Sequence, residues 1–402
     1  MSHLPNDSLL MTPPTERIAG LASRSLVAGG VGLALMALGF LLRGEAFWHS
    51  YLIAYIFWIG ITLGSLAVLM IQYLSGGAWG LVSRRVLEAS TRTLPLMAVA
   101  FLPIWWQLPV LYAKWAGPEA AADELVQTKA AYLEPTFWTI RAVLFFVVWG
   151  LLIFVLNKWS REQDAAEPRL PGPADRRFRV VSGPGLVLYV LTVTFMSVDW
   201  VMSLDPHWYS TIFGILTLGG QGLSTMAFTI VVLATLVKFQ PMSAVVDAEQ
   251  FHDLGKLMFA FVMLWAYFSV SQLLIIWSAN LPEEIPYYLE RLHGPWYFVS
   301  VLVLLGHFVL PFLLLLSRDL KRNPARVRNV AVFILLMRVV DITWTIGPVF
   351  RHDGSPLHWL DFAAVLGLGG LWLFVFFRNL SGRALVPARD PYFKEALAHG
   401  GH

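Results

Sequence analysis

The sequence predicts an all-α polytopic membrane protein with about ten transmembrane helices. Of its 402 residues, 57% are hydrophobic, which exceeds the share in ordinary soluble domains. The apolar residues form continuous runs of about 20 residues, the length that crosses a bilayer as a helix. Lys and Arg are concentrated in every second connection between these runs. A β-barrel is not expected, because the runs lack the period-two alternation of barrel strands.

Ten runs are long and apolar enough to be predicted as transmembrane helices. In chain order they lie near residues 25–42, 51–74, 93–112, 136–158, 184–203, 210–237, 256–278, 296–316, 327–347 and 358–378. We predict six segments from this order. They are a cytoplasmic N-terminal tail (1–23), a peripheral first helix (24–50), a four-helix bundle (51–208), a second four-helix bundle (209–350), a peripheral tenth helix (351–380) and a cytoplasmic C-terminal tail (381–402).

The charge pattern predicts the orientation. Connections on one side hold 22 of the 29 Lys and Arg residues, those on the other side hold five, and Arg141 and Arg338 lie inside apolar runs. Connections rich in Lys and Arg remain cytoplasmic. We therefore expect a multi-pass protein of the bacterial inner (cytoplasmic) membrane, in contact with its lipids and with both termini in the cytoplasm. The basic residues are too scattered to predict nucleic-acid binding.

A weak internal repeat indicates that the two bundles are related. Residues 62–64 and 217–219 both read TLG, and the predicted fifth and ninth helices each carry a deep aspartate, Asp199 and Asp341, with a Trp shortly after it. Four helices per unit return the chain to the same side, so the two bundles would be parallel repeats. The alternative is a chance match between residues that are common in membrane helices.

Ionisable side chains at membrane depth are the candidates for function. Each costs roughly 2.5–3.5 kcal/mol to insert and usually marks a pathway, an ion pair or a ligand site. We expect the charged and histidine residues of the outer half to form a proton path. The candidates are Asp199, Asp341, Arg141, Arg338, His307, Asp361, Asp205 and His207.

The spacing of these residues predicts two pairs. Arg338 and Asp341 are three residues apart and share one helix face, as a structural pair or as part of a proton-exchanging site. Asp199 has no opposite charge in its own helix, and Arg141 at similar depth is the natural partner. His307 is the one histidine near the middle of a predicted helix, so a bis-histidine haem is not expected; a packed, hydrogen-bonded role and a functional role both stay open.

The residue content limits the cofactors. The chain has no cysteine, which excludes cysteine-ligated iron–sulfur clusters, c-type haem attachment and disulfides in this chain. No nucleophile–base pair, phosphate loop or metal cluster is evident, so we predict neither catalytic residues nor a metal site. No covalently bound cofactor is expected. A quinone or quinol is the remaining possibility, in this chain or in a neighbouring subunit.

The strongest local motif is residues 199–214, DWVMSLDPHWYSTIFG, which ends the fifth predicted helix, turns at Asp205-Pro206 and begins the sixth. This motif, the ten-helix layout and the repeat resemble the NrfD/PsrC-type membrane subunits of quinone-linked oxidoreductases. Within that group the chain is similar to the ActF-type subunits of alternative complex III, a quinol:cytochrome c (electron acceptor) oxidoreductase.

The resemblance implies partners and a role. The partners would be a paired ActC-like membrane subunit, a periplasmic iron–sulfur subunit and haem c subunits. The chain would support quinol oxidation and supply a proton path, without a redox cofactor of its own. Two alternatives stay open: a proton-coupled secondary transporter, which would work alone, and a purely structural scaffold of the complex.

Overall fold

A computed structural model describes residue 10 and residues 15–167, 172–351 and 355–393. The described residues form helices joined by turns and short connections, with no β-strand. Most of the predicted N-terminal tail, residues 1–9 and 11–14, lies outside the described residues, as do residues 394–402 of the predicted C-terminal tail.

Eleven principal helices form the fold in the described chain. They are α1 (Thr15–Ser75), α2 (Ala78–Thr91), α3 (Leu94–Trp106), α4 (Pro135–Ala165), α5 (Pro173–Trp200), α6 (Phe213–Leu236), α7 (Ala248–Ala279), α8 (Pro286–Leu292), α9 (Trp296–Leu316), α10 (Pro324–Ile346) and α11 (Trp359–Ser381). Single helical turns and short helices lie between them. These are Leu108–Leu111, Ala113–Ala116, Pro118–Ala122, Glu124–Thr128, Ala130–Leu133, Met202–Leu204, Met242–Val245, Arg318–Arg322 and Gly347–Val349.

Eight of these helices are long and apolar enough to cross a membrane: α1, α4, α5, α6, α7, α9, α10 and α11. In lipid, a helix satisfies its own backbone polar groups, which is why continuous apolar runs of this length adopt it. The chain thus has the character of an all-α multi-pass membrane protein. Below, the outer end is the end that the charge pattern predicts to face the periplasm, and the basic end is the opposite one.

Local sequence signals begin several helices. Proline occupies the first position of α4, α5 and α10, where its missing N–H costs no hydrogen bond. Asp247 caps α7 by accepting from the backbone N–H groups of Glu249 and Gln250.

The first two predicted helices are joined in α1. A straight helix of 61 residues would be about 90 Å long, far more than a bilayer is thick. The chain leaves helical geometry at Arg43 (φ −146°, ψ 47°), which divides α1 into two segments that are each long enough to span. The helix also begins at Thr15, inside the segment predicted as a tail.

The third predicted helix is interrupted. Residues 93–112 form α3, a break at Gln107 and the short helix Leu108–Leu111. Pro109 explains the interruption, since it lacks an N–H donor and its ring would clash with the carbonyl of Trp105 four residues earlier, whereas Pro103 is accommodated inside α3.

The first and last long helices pack closely. A Cβ atom on Gly32 would lie 2.3 Å from the backbone nitrogen of Gly367, and one on Gly370 would lie 2.1 Å from Cα of Gly29. Only glycines permit this backbone approach, as at other small-residue interfaces between membrane helices. The two helices predicted as peripheral are therefore a tightly packed pair. Helix α6 packs against α1 and α5, which precede it in the chain, and against α7 and α10, which follow it.

Candidate functional site

The predicted pair of Arg141 and Asp199 is formed between α4 and α5. Arg141 donates from Nε to Oδ2 of Asp199 (2.8 Å) and from Nη2 to Oδ1 (3.0 Å). Its third contact is a 3.0 Å hydrogen bond to the Tyr132 carbonyl, and its guanidinium lies over the rings of Tyr132 and Phe137. Asp199 is fully buried, and both its carboxylate oxygens accept from Arg141. This geometry is that of a satisfied structural ion pair.

The predicted pair of Arg338 and Asp341 is also formed, on one face of α10. Gly220 of α6 makes room for it, because a Cβ there would lie 2.2 Å from Nη2 of Arg338. His307 of α9 approaches the same carboxylate, with Nε2 3.8 Å from Oδ2 of Asp341. The distance exceeds a hydrogen bond. The structure thus brings three predicted residues together and leaves the histidine just short of bonding.

His307 is buried, and neither of its ring nitrogens has a hydrogen-bond partner among the described residues. The ring meets Trp265 edge-on, with centroids 4.4 Å apart. Residues Val303–Val309 around it form a π-helical turn within α9. Pro311 accounts for this turn, because in an α-helix its ring would clash with the His307 carbonyl. Such turns occur frequently at functional sites.

An apolar cavity of about 310 Å³ reaches the Arg338–Asp341 pair and is here called the main cavity because these predicted site residues line it. A more polar cavity at the basic end is larger, about 520 Å³. The walls of the main cavity come from α1 and from α5 to α10, and they include the rings of Trp265, Tyr288 and Trp344. Apolar residues predominate; besides the ion pair and the aromatic rings, the polar side chains along it are Thr217, Ser269, Gln272, Ser300 and Thr345. Small-molecule sites in proteins have this volume range and this mixture of apolar walls and a few convergent polar groups. Neither Arg141 nor Asp199 lines the main cavity.

Asp361 belongs to a separate cluster at the outer end. Arg351 donates to both of its carboxylate oxygens (2.7 and 2.8 Å), and Ser50 donates to one of them (2.6 Å). The backbone N–H of His358 donates to the other at the start of α11. Burial and then the Arg351 charge lower the pKa of His358 below its usual range, against the opposing effect of Asp361. Asp361 thus ties α11 to α1 and lies apart from the other predicted site residues.

Asp205 and His207 lie together at the outer surface, in the turn between α5 and α6. Lys114 donates to Asp205 (2.9 Å), and His207 Nε2 lies 2.8 Å from Asp123 Oδ2. His207 Nδ1 is 3.9 Å from Asp205. Backbone donation from Val126 lowers the pKa of Asp123. These side chains are partly exposed at the outer surface.

Sequence reasoning missed an ion network at the basic end. Glu88 of α2 is buried and accepts from Arg84 (3.0 Å), Arg85 (2.7 Å) and Arg383 (2.9 Å). Arg84 also donates to Asp390 (2.7 Å). The predicted C-terminal tail is therefore packed against the bundle as far as residue 393. Burial alone would raise the pKa of Glu88, but the three arginines hold it well below its ordinary value.

Arg291 of α8 was also missed. It lies in a segment predicted as an outer loop, yet only 1% of it is exposed. Its three hydrogen bonds go to the carbonyls of Trp344, Tyr287 and Thr345. No sequence signal separates this arginine from a solvated one; only the density of aromatic residues around it hints at burial.

Comparisons with known proteins add no family assignment. No family model matches the chain, and a search of curated proteins finds no match.

Proposed function

We propose that the chain is an ActF-type integral membrane subunit of a respiratory quinol oxidoreductase. In this proposal the main cavity holds the quinol ring, or belongs to the path by which the protons of the quinol are released. The proposal includes ten transmembrane helices in two parallel bundles, with both termini in the cytoplasm of a bacterial cell. Its partners would be an ActC-like membrane subunit, a periplasmic iron–sulfur subunit and haem c subunits.

The observation that carries the proposal is the arrangement of Asp341 at the main cavity. The carboxylate is buried, lines an apolar cavity and is balanced by Arg338 on its own helix face. Nε2 of His307 lies 3.8 Å from Oδ2 of Asp341, and the histidine ring has no hydrogen-bond partner among the described residues. A lipid-soluble diphenol fits apolar walls, and its hydroxyl groups need an acceptor for the protons that oxidation releases.

The chemistry divides between this chain and its partners. Oxidation of a quinol to a quinone releases two electrons and two protons. The electrons would pass to the iron–sulfur and haem centres of the partner subunits, since this chain has no cysteine to hold a cluster. Asp341 would accept a proton from a quinol hydroxyl, and His307 is near enough to take the proton from Asp341 after a small ring movement.

The test uses the whole complex purified from its native membrane. We expect Asp341→Asn to lower quinol oxidation by about 100-fold, the scale of a lost general base, while the subunits and the haem spectrum remain. Asp319→Asn, an exposed change in the short helix Arg318–Arg322, is the matched control and keeps wild-type turnover. Wild-type turnover in a fully assembled Asp341→Asn complex would contradict the proposal and favour the scaffold alternative.

A second measurement tests binding directly. Trp265 and Trp344 line the main cavity, so a quinol analogue bound there should quench tryptophan fluorescence. Replacing Ser269 with Phe would fill the cavity and abolish the quenching. Recovery of the chain as a stable lone species, with substrate-dependent proton flux in liposomes, would instead favour the transporter alternative.

A further inference from the structure

A further, smaller cavity lies between the main cavity and the outer surface. Its volume is about 20 Å³, and its polar lining comes from Asp205, Trp208, Tyr287, Glu290 and Arg291. A cavity of roughly 10–15 Å³ is large enough to hold one water molecule, and that water needs two to four polar partners. The small cavity meets both requirements.

Two buried donors at this cavity have no partner among the described residues. They are the indole N–H of Trp208 and the hydroxyl of Tyr287, whose residues are 5% and 6% exposed. The two rings stack with centroids 4.0 Å apart, which holds both polar atoms in place. The Tyr287 hydroxyl interacts with Gln272 and Thr345 but makes no hydrogen bond of normal geometry with them. Because a buried polar group without a hydrogen bond is costly, two such groups on residues that line one cavity point to a ligand that both can bond.

Arg291 gives the same indication. Among the described residues no carboxylate lies within ion-pair distance of its guanidinium, which bonds only backbone carbonyls and stacks on Tyr287 at 3.5 Å. Asp205 and Glu290 line the same cavity. A water molecule between these groups would accept from the buried donors and donate to a carboxylate. Water suits this mixture of charges better than an anion, which the two carboxylates would repel.

The small cavity also adjoins the main cavity. Thr345 lines both of them, and its hydroxyl donates to the backbone carbonyl of Asp341 (2.9 Å). On the far side, Asp205 leads to His207 and to water. Burial raises the pKa of Tyr287, so its hydroxyl keeps its proton and can relay one without ionising.

We infer that the small cavity is a water-binding site and that Tyr287, this water and Asp205 form the exit by which protons from the main cavity reach the outer surface. The exit rests on the proposed function, whereas the water site does not. Arg291 lines the same cavity, where the charges of Glu290 and Asp205 act on it from beyond ion-pair distance.

X-ray radiolytic labelling of the intact complex tests the water site. Hydroxyl radicals form at bound water, so we expect Trp208 and Tyr287 to be labelled in spite of their burial. Val349→Ile adds one methylene to the wall of the small cavity and keeps every polar group, so it should abolish this labelling. Absence of labelling in the wild-type complex would overturn the water site and leave the proposed function untouched.

Turnover tests the exit. Tyr287→Phe removes the hydroxyl but keeps the ring stacking; we expect about tenfold lower kcat for quinol oxidation, unchanged KM and a larger solvent isotope effect. Val349→Ile should also lower kcat. The control is Tyr209→Phe, a change at an exposed tyrosine on the turn that carries Asp205. If Trp208 and Tyr287 are labelled but Tyr287→Phe and Val349→Ile both keep wild-type turnover, the exit is overturned while the water site remains. If Asp341→Asn also keeps wild-type turnover, the failure lies in the proposed function.

Discussion

The Arg141–Asp199 pair should stabilise the fold, and its two partners should respond unequally to replacement. Both charges are buried, with two hydrogen bonds of 2.8 and 3.0 Å between them. Removing one partner of such a pair typically costs about 3–5 kcal/mol, because the other charge is left uncompensated. For Asp199→Asn we expect a loss near the lower limit, about 3 kcal/mol, since the amide oxygen still accepts one bond.

The opposite change should cost less. A carboxyl that loses its cation can take up a proton and become neutral, whereas a guanidinium cannot lose its charge in a protein. The proton costs about 1.4 kcal/mol for each pH unit above the usual Asp pKa of about 3.9. At pH 5, where the cycle is measured, Arg141→Met should therefore cost about 1–2 kcal/mol, less than Asp199→Asn. Replacing both residues, as Arg141→Met with Asp199→Asn, removes both charges and should cost about 2 kcal/mol, the penalty of one buried amide that has lost its partner.

The assay is a double-mutant cycle on the purified chain. Unfolding by titration with a denaturing detergent, followed by tryptophan fluorescence, gives the free energy for each variant; Trp138, which donates to the Asp199 carbonyl, reports locally. The cycle should yield a coupling energy of about 2–3 kcal/mol. The reasoning is refuted if Asp199→Asn is within about 0.5 kcal/mol of wild type, or if the double variant is as unstable as the worse single one.

Three further predictions follow from the packing, the ion network and the charge pattern. Gly32→Ile should separate the first and last long helices, since the new side chain would enter the Gly367 backbone, and should lower the thermal unfolding midpoint by several degrees; Gly30→Ile, at a glycine with open space, is the control. A carboxylate with a lowered pKa stabilises the fold at pH values above its ordinary pKa, and this effect is lost only as the pH falls through the lowered value. Glu88 should therefore hold the C-terminal segment in place between about pH 8 and 5. Proteolysis of that segment should be slow across this range in wild type and fast in Glu88→Gln. A reporter that is active only in the periplasm should be silent when fused after Glu167, and a strong signal there would reverse the orientation.

The sequence was informative where charge is scarce. An apolar helix offers few partners to a buried ion, so the pairs of Arg141 with Asp199 and of Arg338 with Asp341 were predictable from depth and spacing alone. The spacing of apolar runs likewise predicted an all-helical chain, although α1 joins two predicted helices and α3 is cut short.

The contacts of charged residues near helix ends could not be predicted, because such a position suits a solvated side chain and a buried ion pair equally well. Glu88 and Arg383 are 295 residues apart, and nothing in their local sequence predicts contact. Arg291 has the same ambiguity, since the guanidinium bonds carbonyls that any helix end exposes. The turn around His307 had a usable signal in Pro311, four residues later, but its consequence for the histidine depends on packing against Trp265.

The ion network at the basic end also sets an order of events during synthesis. Arg84 and Glu88 enter the membrane region early, but Asp390 follows Arg84 by 306 residues. At about 5–20 residues per second, the ribosome needs roughly 15–60 s to supply the missing partners. Throughout that interval Arg84 lacks Asp390 and Glu88 lacks Arg383, so both groups are solvated by water instead of fully paired. A chain that stops before Arg383 therefore keeps an incomplete ion network at its basic end.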